Sequence, residues 1–120
     1  MDRGHKDLAK QADALHPSIL KLIEMTCKAA KAHGKWVGVC GGLASDFAAV
    51  AILIGLGVDE LSVSIPTIPL VKTHVRETTL LAAQATAQKA LAAGTADEVR
   101  RLIHANSETP QDKEAGNVPY

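Results

Sequence analysis

Ile19, Leu20, Leu22, Ile23, Thr26, Cys27 and Ala30 recur at helical spacing, and Lys21, Glu24, Lys28 and Lys31 fall on the other face. That pattern predicts an amphipathic helix with one stripe turned to a core. Pro17, after His16, suits the first turn of such a helix, while Lys28 and Lys31 followed by Gly34 mark its end. Trp36 to Cys40 is a short apolar run with β-branched residues, which predicts a buried strand over Lys35–Cys40. Gly41-Gly42 breaks the run, and Ser45-Asp46 is a good N-cap pair for a second helix from about Asp46 to Leu56. This helix is apolar almost all round (Phe47, Val50, Ile52, Leu53, Ile54), so it is expected to be buried on most sides, with Gly55 and Gly57 ending it.

The alternation Leu61-Ser62-Val63-Ser64-Ile65 predicts a second strand, and Pro66 and Pro69 exclude its continuation. Thr67 with Pro69 reads as a helix start, and the pattern stays helical to Ala92 with a break near Thr78-Thr79. The alanine-rich stretch Leu80–Ala93 reads as a helix-packing face, and Gly94-Thr95 separates it from a last short helix, Ala96–His104. Met1–Leu15 has a turn-like start at Asp2-Arg3-Gly4 and then a weakly helical polar stretch. Asn106 onward is polar and bears Pro and Gly, which divides the chain into a folded segment 1–105 and a disordered tail 106–120. The order helix, strand, helix, strand, helix, helix implies α/β architecture with two parallel strands and flanking helices. Two strands form no stable sheet alone, and a barrel needs about eight in roughly 250 residues. The pattern therefore reads as the end of a larger fold.

Composition narrows the picture. The 120 residues have the length of one ordinary domain, 47% are apolar and only three are aromatic. The core must be built from Ala, Val, Leu and Ile, as suits helices on a small parallel sheet. Thirteen acidic and thirteen basic residues give zero formal net charge. No long-range field steers such a chain onto nucleic acid or an anionic membrane, so any anion must be held by a local site. The longest apolar run, Phe47–Leu56, is about half of what a membrane-spanning helix needs. With a polar N-terminus that lacks a signal-peptide pattern, this indicates a soluble cytoplasmic protein with reduced thiols and no Cys27–Cys40 disulfide. His5, His16, His33, His74 and His104 have no metal-ligand spacing. His33 reads as a C-terminal helix residue favoured by the dipole, and Trp36 as packing.

Candidate chemistry concentrates at the first strand–turn–helix unit, because sites in such units sit in the loop after the strand. Cys40 stands at the carboxyl end of that strand, aimed at the loop. Taken alone it also fits a small buried thiol, as Cys27 does on the apolar face of the first helix. Gly41-Gly42 fits either an anion nest ahead of the helix or a tight turn. Arg3, taken alone, is a solvated charge.

The segment His-Gly-Lys-Trp-Val-Gly-Val-Cys-Gly-Gly-Leu-Ala-Ser-Asp (33–46) and the segment Gly-Leu-Gly-Val-Asp-Glu-Leu-Ser-Val-Ser (55–64) closely resemble the C-terminal barrel of enzyme I. That enzyme is the phosphoenolpyruvate–protein phosphotransferase of the bacterial sugar phosphotransferase system. Asp2-Arg3-Gly4, Pro17-Ser18-Ile19-Leu20, Ile68-Pro69 and Val71-Lys72 extend the resemblance from about Asp2 to His104. It implies the last quarter of a (β/α)8 TIM barrel, holding strands seven and eight. It also implies phosphoryl transfer from phosphoenolpyruvate to a protein histidine, with Cys40 donating or accepting the proton at C3 of the pyruvate enolate and Arg3 holding phosphoenolpyruvate. A thiol at a helix N-terminus suits such proton exchange, and a guanidinium grips carboxylate or phosphate bidentately. The implied partners are phosphoenolpyruvate or pyruvate, a phosphocarrier histidine protein and a second copy of the chain, since the family's barrel is its dimerisation domain. Magnesium is implied for the intact enzyme, with its ligands, the other phosphate-binding arginines and the phosphorylated-histidine domain in segments before residue 1. The family's loop usually reads Cys-Gly-Glu; here it is Cys40-Gly41-Gly42, without the carboxylate. Two expectations follow: a segment of a phosphotransferase barrel that does not turn over alone, or a non-catalytic, self-associating or regulatory module derived from one.

Overall fold

A computed structural model describes residues 13–107. Its elements run α1 (Pro17–Ala32), β1 (Gly38–Val39), α2 (Phe47–Leu56), β2 (Glu60–Leu61), a 3-10 turn (Ile65–Thr67), α3 (Ile68–Glu77), α4 (Leu80–Ala92) and α5 (Ala96–Ser107). The two strands are parallel, with Gly38 opposite Glu60 and Val39 opposite Leu61. The α/β class, the parallel pairing and the break at Thr78-Thr79 agree with the sequence reading.

Local chemistry sets the boundaries. Pro17 opens α1 behind His16, whose Nδ1 accepts the Ser18 N–H. At its other end Gly34 takes a left-handed φ of 66°, and the Lys35 N–H reaches back to the Ala30 carbonyl at 2.8 Å. That return bond satisfies a carbonyl the helix would otherwise orphan. Asp46 caps α2 by accepting the Ala48 N–H, and Gly57, at φ 101°, closes it. Thr79 caps α4 in the same way through Ala82.

The strands are shorter than the expected Lys35–Cys40 and Leu61–Ile65. At the entry, the Val37 N–H bonds to the Asp59 carboxylate, which replaces a ladder partner. At the exit, Pro66 has no N–H to donate and the chain winds into the 3-10 turn. The last helix runs to Ser107, past the expected end at His104, and the rest of the expected tail lies outside the described residues.

The core lies on one face of the strand pair. Leu15, Leu20, Ala49, Ile52, Leu53, Leu56, Ala87, Ala90 and Val99 are buried together, with Val39 and Leu61 packed against them. The deepest contact is between α2 and α4. Gly55 does not end α2; it lies inside it, where a Cβ would come within 2.1 Å of the Ala83 carbonyl oxygen. The helices touch through backbone there, and Ala83 and Ala87 are almost fully buried as the alanine-rich pattern predicts.

On α1 the buried stripe is rotated from the expected one. Leu20, Glu24 and Cys27 are buried, while Ile19, Leu22 and Met25 are 41%, 59% and 55% exposed. Glu24 stays charged inside because Lys21 and Lys28 approach it at 2.7 and 3.4 Å. The Lys21 hydrogen bond holds its carboxyl below the usual range, against the opposing effect of burial.

Candidate functional site at the carboxyl end of the first strand

Alternation along a strand sends successive side chains to opposite faces. Val39 and Leu61 turn inward to the helices, so Gly38 and Glu60 turn to the other face, which no described element covers. A Cβ on Gly38 would lie 3.7 Å from Glu60 Cβ and 3.2 Å from Trp36 Cζ3, which confirms that these residues share that face. Trp36 is not the buried packing residue the sequence suggests. Its ring rests on Gly38 and is 67% exposed, because no second layer lies over this face among the described residues.

Cys40 follows directly after β1. It is exposed, whereas Cys27 is buried, and both thiols are free. The alternative of a small buried thiol at position 40 is therefore overturned. The ladder continues beside it: the Ser62 N–H bonds the Val39 carbonyl at 2.8 Å, and Ser62 Oγ donates to Glu60 Oε1 at 3.1 Å. A hydroxyl and a carboxylate thus lie on the strand next to the one carrying the thiol. Period-two alternation in residues 61–65 signals the strand and includes Ser62, although it does not show which face stays open.

Between Cys40 and α2 runs the turn 41–46. Gly41 takes φ 78° and Gly42 has nothing within 4 Å of a Cβ position, so the pair forms an open turn. Ala44 is fully buried, and the Asp46 N–H closes onto the Leu43 carbonyl. The thiol therefore stands seven residues ahead of Phe47, the first helical residue, and not on the helix N-terminus itself.

Asp46 has a second partner that the sequence does not reveal. Arg100 of α5 donates to both oxygens of Asp13, at 2.6 and 2.8 Å, and to Asp46 Oδ2 at 3.0 Å. The Arg100 guanidinium holds the Asp13 carboxyl below the usual carboxylate range, and the two acids raise the guanidinium in turn. Only the fold brings residues so distant in sequence together.

Arg3, the expected phosphoenolpyruvate contact, lies outside the described residues. A groove of about 570 Å³ runs along β2 and α3, lined in part by Val58, Ser62, Val71, Lys72 and Arg76, but Cys40 is not among its walls. Magnesium, implied by the resemblance, finds no group of three possible ligands among the described residues. No helix there is long and apolar enough to cross a membrane.

Residues 1–80 match the model of the PEP-binding domain of PEP-utilising enzymes. The chain belongs to that family. Its two parallel strands and flanking helices fit a segment of the family's TIM-barrel-type domain. A multiphosphoryl transfer protein of Rhodobacter capsulatus is 52% identical over 102 residues, covering 85% of this chain and 12% of that protein. Phosphoenolpyruvate-protein phosphotransferases of Buchnera aphidicola (subsp. Acyrthosiphon pisum) and Haemophilus influenzae are 40% and 39% identical over 103 residues, covering 86% of this chain and 18% of each. The chain thus spans less than a fifth of the length of these relatives.

Proposed function

We propose that these residues form the closing segment of a cytoplasmic phosphoenolpyruvate-binding barrel, in which phosphoryl transfer to a protein histidine is coupled to proton transfer by Cys40. The observation that carries this reading is the exposed thiol at the carboxyl end of β1, beside the sheet face left uncovered by the helices, within the family match. On removal of the phosphoryl group from phosphoenolpyruvate, the enolate of pyruvate is left with negative charge shared between oxygen and C3. Cys40 delivers its proton to C3 and becomes a thiolate; the reverse reaction returns the proton to sulfur. Arg3 grips the carboxylate or phosphate of the substrate. Magnesium would supply neutralisation of phosphate charge and would be held by residues outside those described. A phosphocarrier histidine protein takes the phosphoryl group onward.

Of this machinery, Cys40 and Arg3 are assigned to these 120 residues, and the remainder to the rest of a barrel. In deuterated buffer the purified chain should leave the C3 protons of pyruvate unexchanged, as read by proton NMR. Exchange that disappears with Cys40→Ser would overturn the proposed dependence on the remaining barrel.

A second reading, a self-associating module derived from the barrel, is favoured by the exposed stripe Ile19, Leu22 and Met25 on α1. Light scattering separates the two: a homogeneous folded oligomer supports the module, and a monomer at all concentrations removes it.

A further inference from the structure

We propose that Arg100 is a positioning residue for the Cys40 loop, acting from α5 through the carboxylate that caps α2. The proposal rests on the reading of Cys40 as the proton-transfer group.

The two oxygens of Asp46 are divided between two tasks. Oδ1 accepts the Ala48 N–H and so fixes where α2 begins, while Oδ2 accepts Arg100 Nη2 at 3.0 Å. The turn 41–46 is thereby held at its far end, and in its middle by buried Ala44 and the Asp46–Leu43 bond. Its near end is Cys40. A turn pinned at those points leaves the thiol a narrow range of positions, and proton transfer to carbon tolerates little misplacement. Arg100 is fixed on α5 beside Val99, which is fully buried, and its guanidinium also donates to Asp13. The guanidinium forks between two carboxylates, a geometry that a lysine ammonium cannot reproduce. Arg100 lies beyond the stretch matched by the family model, residues 1–80.

The design of the test separates positioning from simple docking of α5. Asp13→Asn removes the negative charge behind both bonds to Arg100 and one of the two acceptors facing it, and leaves the Asp46 contact. Asp46→Asn acts on one bond to Arg100, and asparagine caps a helix as well as aspartate does. A role in stability alone makes Asp13→Asn the more damaging change everywhere; positioning makes Asp46→Asn the more damaging one at the loop. Cys40 of the 120-residue chain is tagged with a trifluoromethyl thiol reagent, buried Cys27 staying unlabelled, and followed by fluorine NMR. The expected result is one narrow line for the parent chain and for Asp13→Asn. Asp46→Asn and Arg100→Met should give a line broadened about twofold or split by slow exchange, and Arg100→Lys should recover part of the narrow signal. Equal disturbance by Asp13→Asn and Asp46→Asn, or no disturbance by Arg100→Met, would overturn the proposal. No substrate is present, so the outcome is independent of whether Cys40 carries a proton; loss of Cys40 dependence in pyruvate exchange would sink that reading alone.

Discussion

Gly55→Ala is the substitution for which the structure gives the sharpest number. A Cβ at position 55 would sit 2.1 Å from the Ala83 carbonyl oxygen, 2.5 Å from its carbon and 2.8 Å from Ala87 Cβ. Two of those atoms are backbone within α4, so no side chain can swing aside. Relief requires α2 and α4 to part by roughly 1 Å, which forfeits much of the dispersion energy across the contact. Overpacking of this kind costs about 3 kcal/mol. Alanine gains about 1 kcal/mol over glycine inside a helix, which leaves a net loss of about 2 kcal/mol. At this chain length that lowers the melting temperature by roughly 8 °C. Urea unfolding followed by far-ultraviolet circular dichroism measures it directly. Gly42→Ala is the internal control: its Cβ meets nothing within 4 Å, so its effect should stay within about 0.5 kcal/mol. If Gly55→Ala matches the parent or unfolds at higher urea, the backbone contact between α2 and α4 is wrong.

Acid and thiol chemistry give two further tests. Asp13 and Glu24 are both held below their ordinary values of 3.8 and 4.5, mainly by hydrogen bonds from Arg100 and Lys21. Their contribution to stability is therefore complete above those values and is lost as pH falls through the lower folded ones. Unfolding free energy should drop below roughly pH 4.5, and the drop should be shallower in Asp13→Asn; identical acid curves would refute the assigned ion pair. Burial raises the Cys27 thiol above its ordinary value of 9.0, so its neutral form favours the fold and that contribution is lost as pH rises beyond it. Titration with a chromogenic disulfide at pH 8 should find one fast thiol, Cys40, and a second that reacts only on unfolding; two fast thiols would contradict the burial of Cys27.

Much of the architecture was legible in the pattern because its signals are local. Pro17, Gly34, Asp46, Gly57 and Thr79 act on backbone groups within a few residues, and they stand where helices begin and end. The buried stripe on α1 departs from its apolar pattern because a carboxylate with two lysines at helical spacing can be buried, which leaves Ile19, Leu22 and Met25 facing outward. Gly55 looked like a stop, since a glycine near a helix end and a glycine at a helix crossing are the same letter. Cys40 stood out through its place after a strand and ahead of paired glycines. The Arg100 fork was invisible because it joins positions 13, 46 and 100, and nothing in a linear pattern ties them together. The uncovered sheet face followed from alternation once the fold showed which side the helices occupy.

The central claim is that Cys40 of this segment moves the proton at C3. The most direct measurement replaces the matching 102-residue stretch of the Rhodobacter capsulatus multiphosphoryl transfer protein with this chain. Deuterium incorporation into the methyl group of pyruvate is then followed by NMR. The account predicts that the chimera exchanges C3 protons and that Cys40→Ser abolishes the exchange while circular dichroism shows the fold intact. Exchange undiminished in the Cys40→Ser chimera would contradict it.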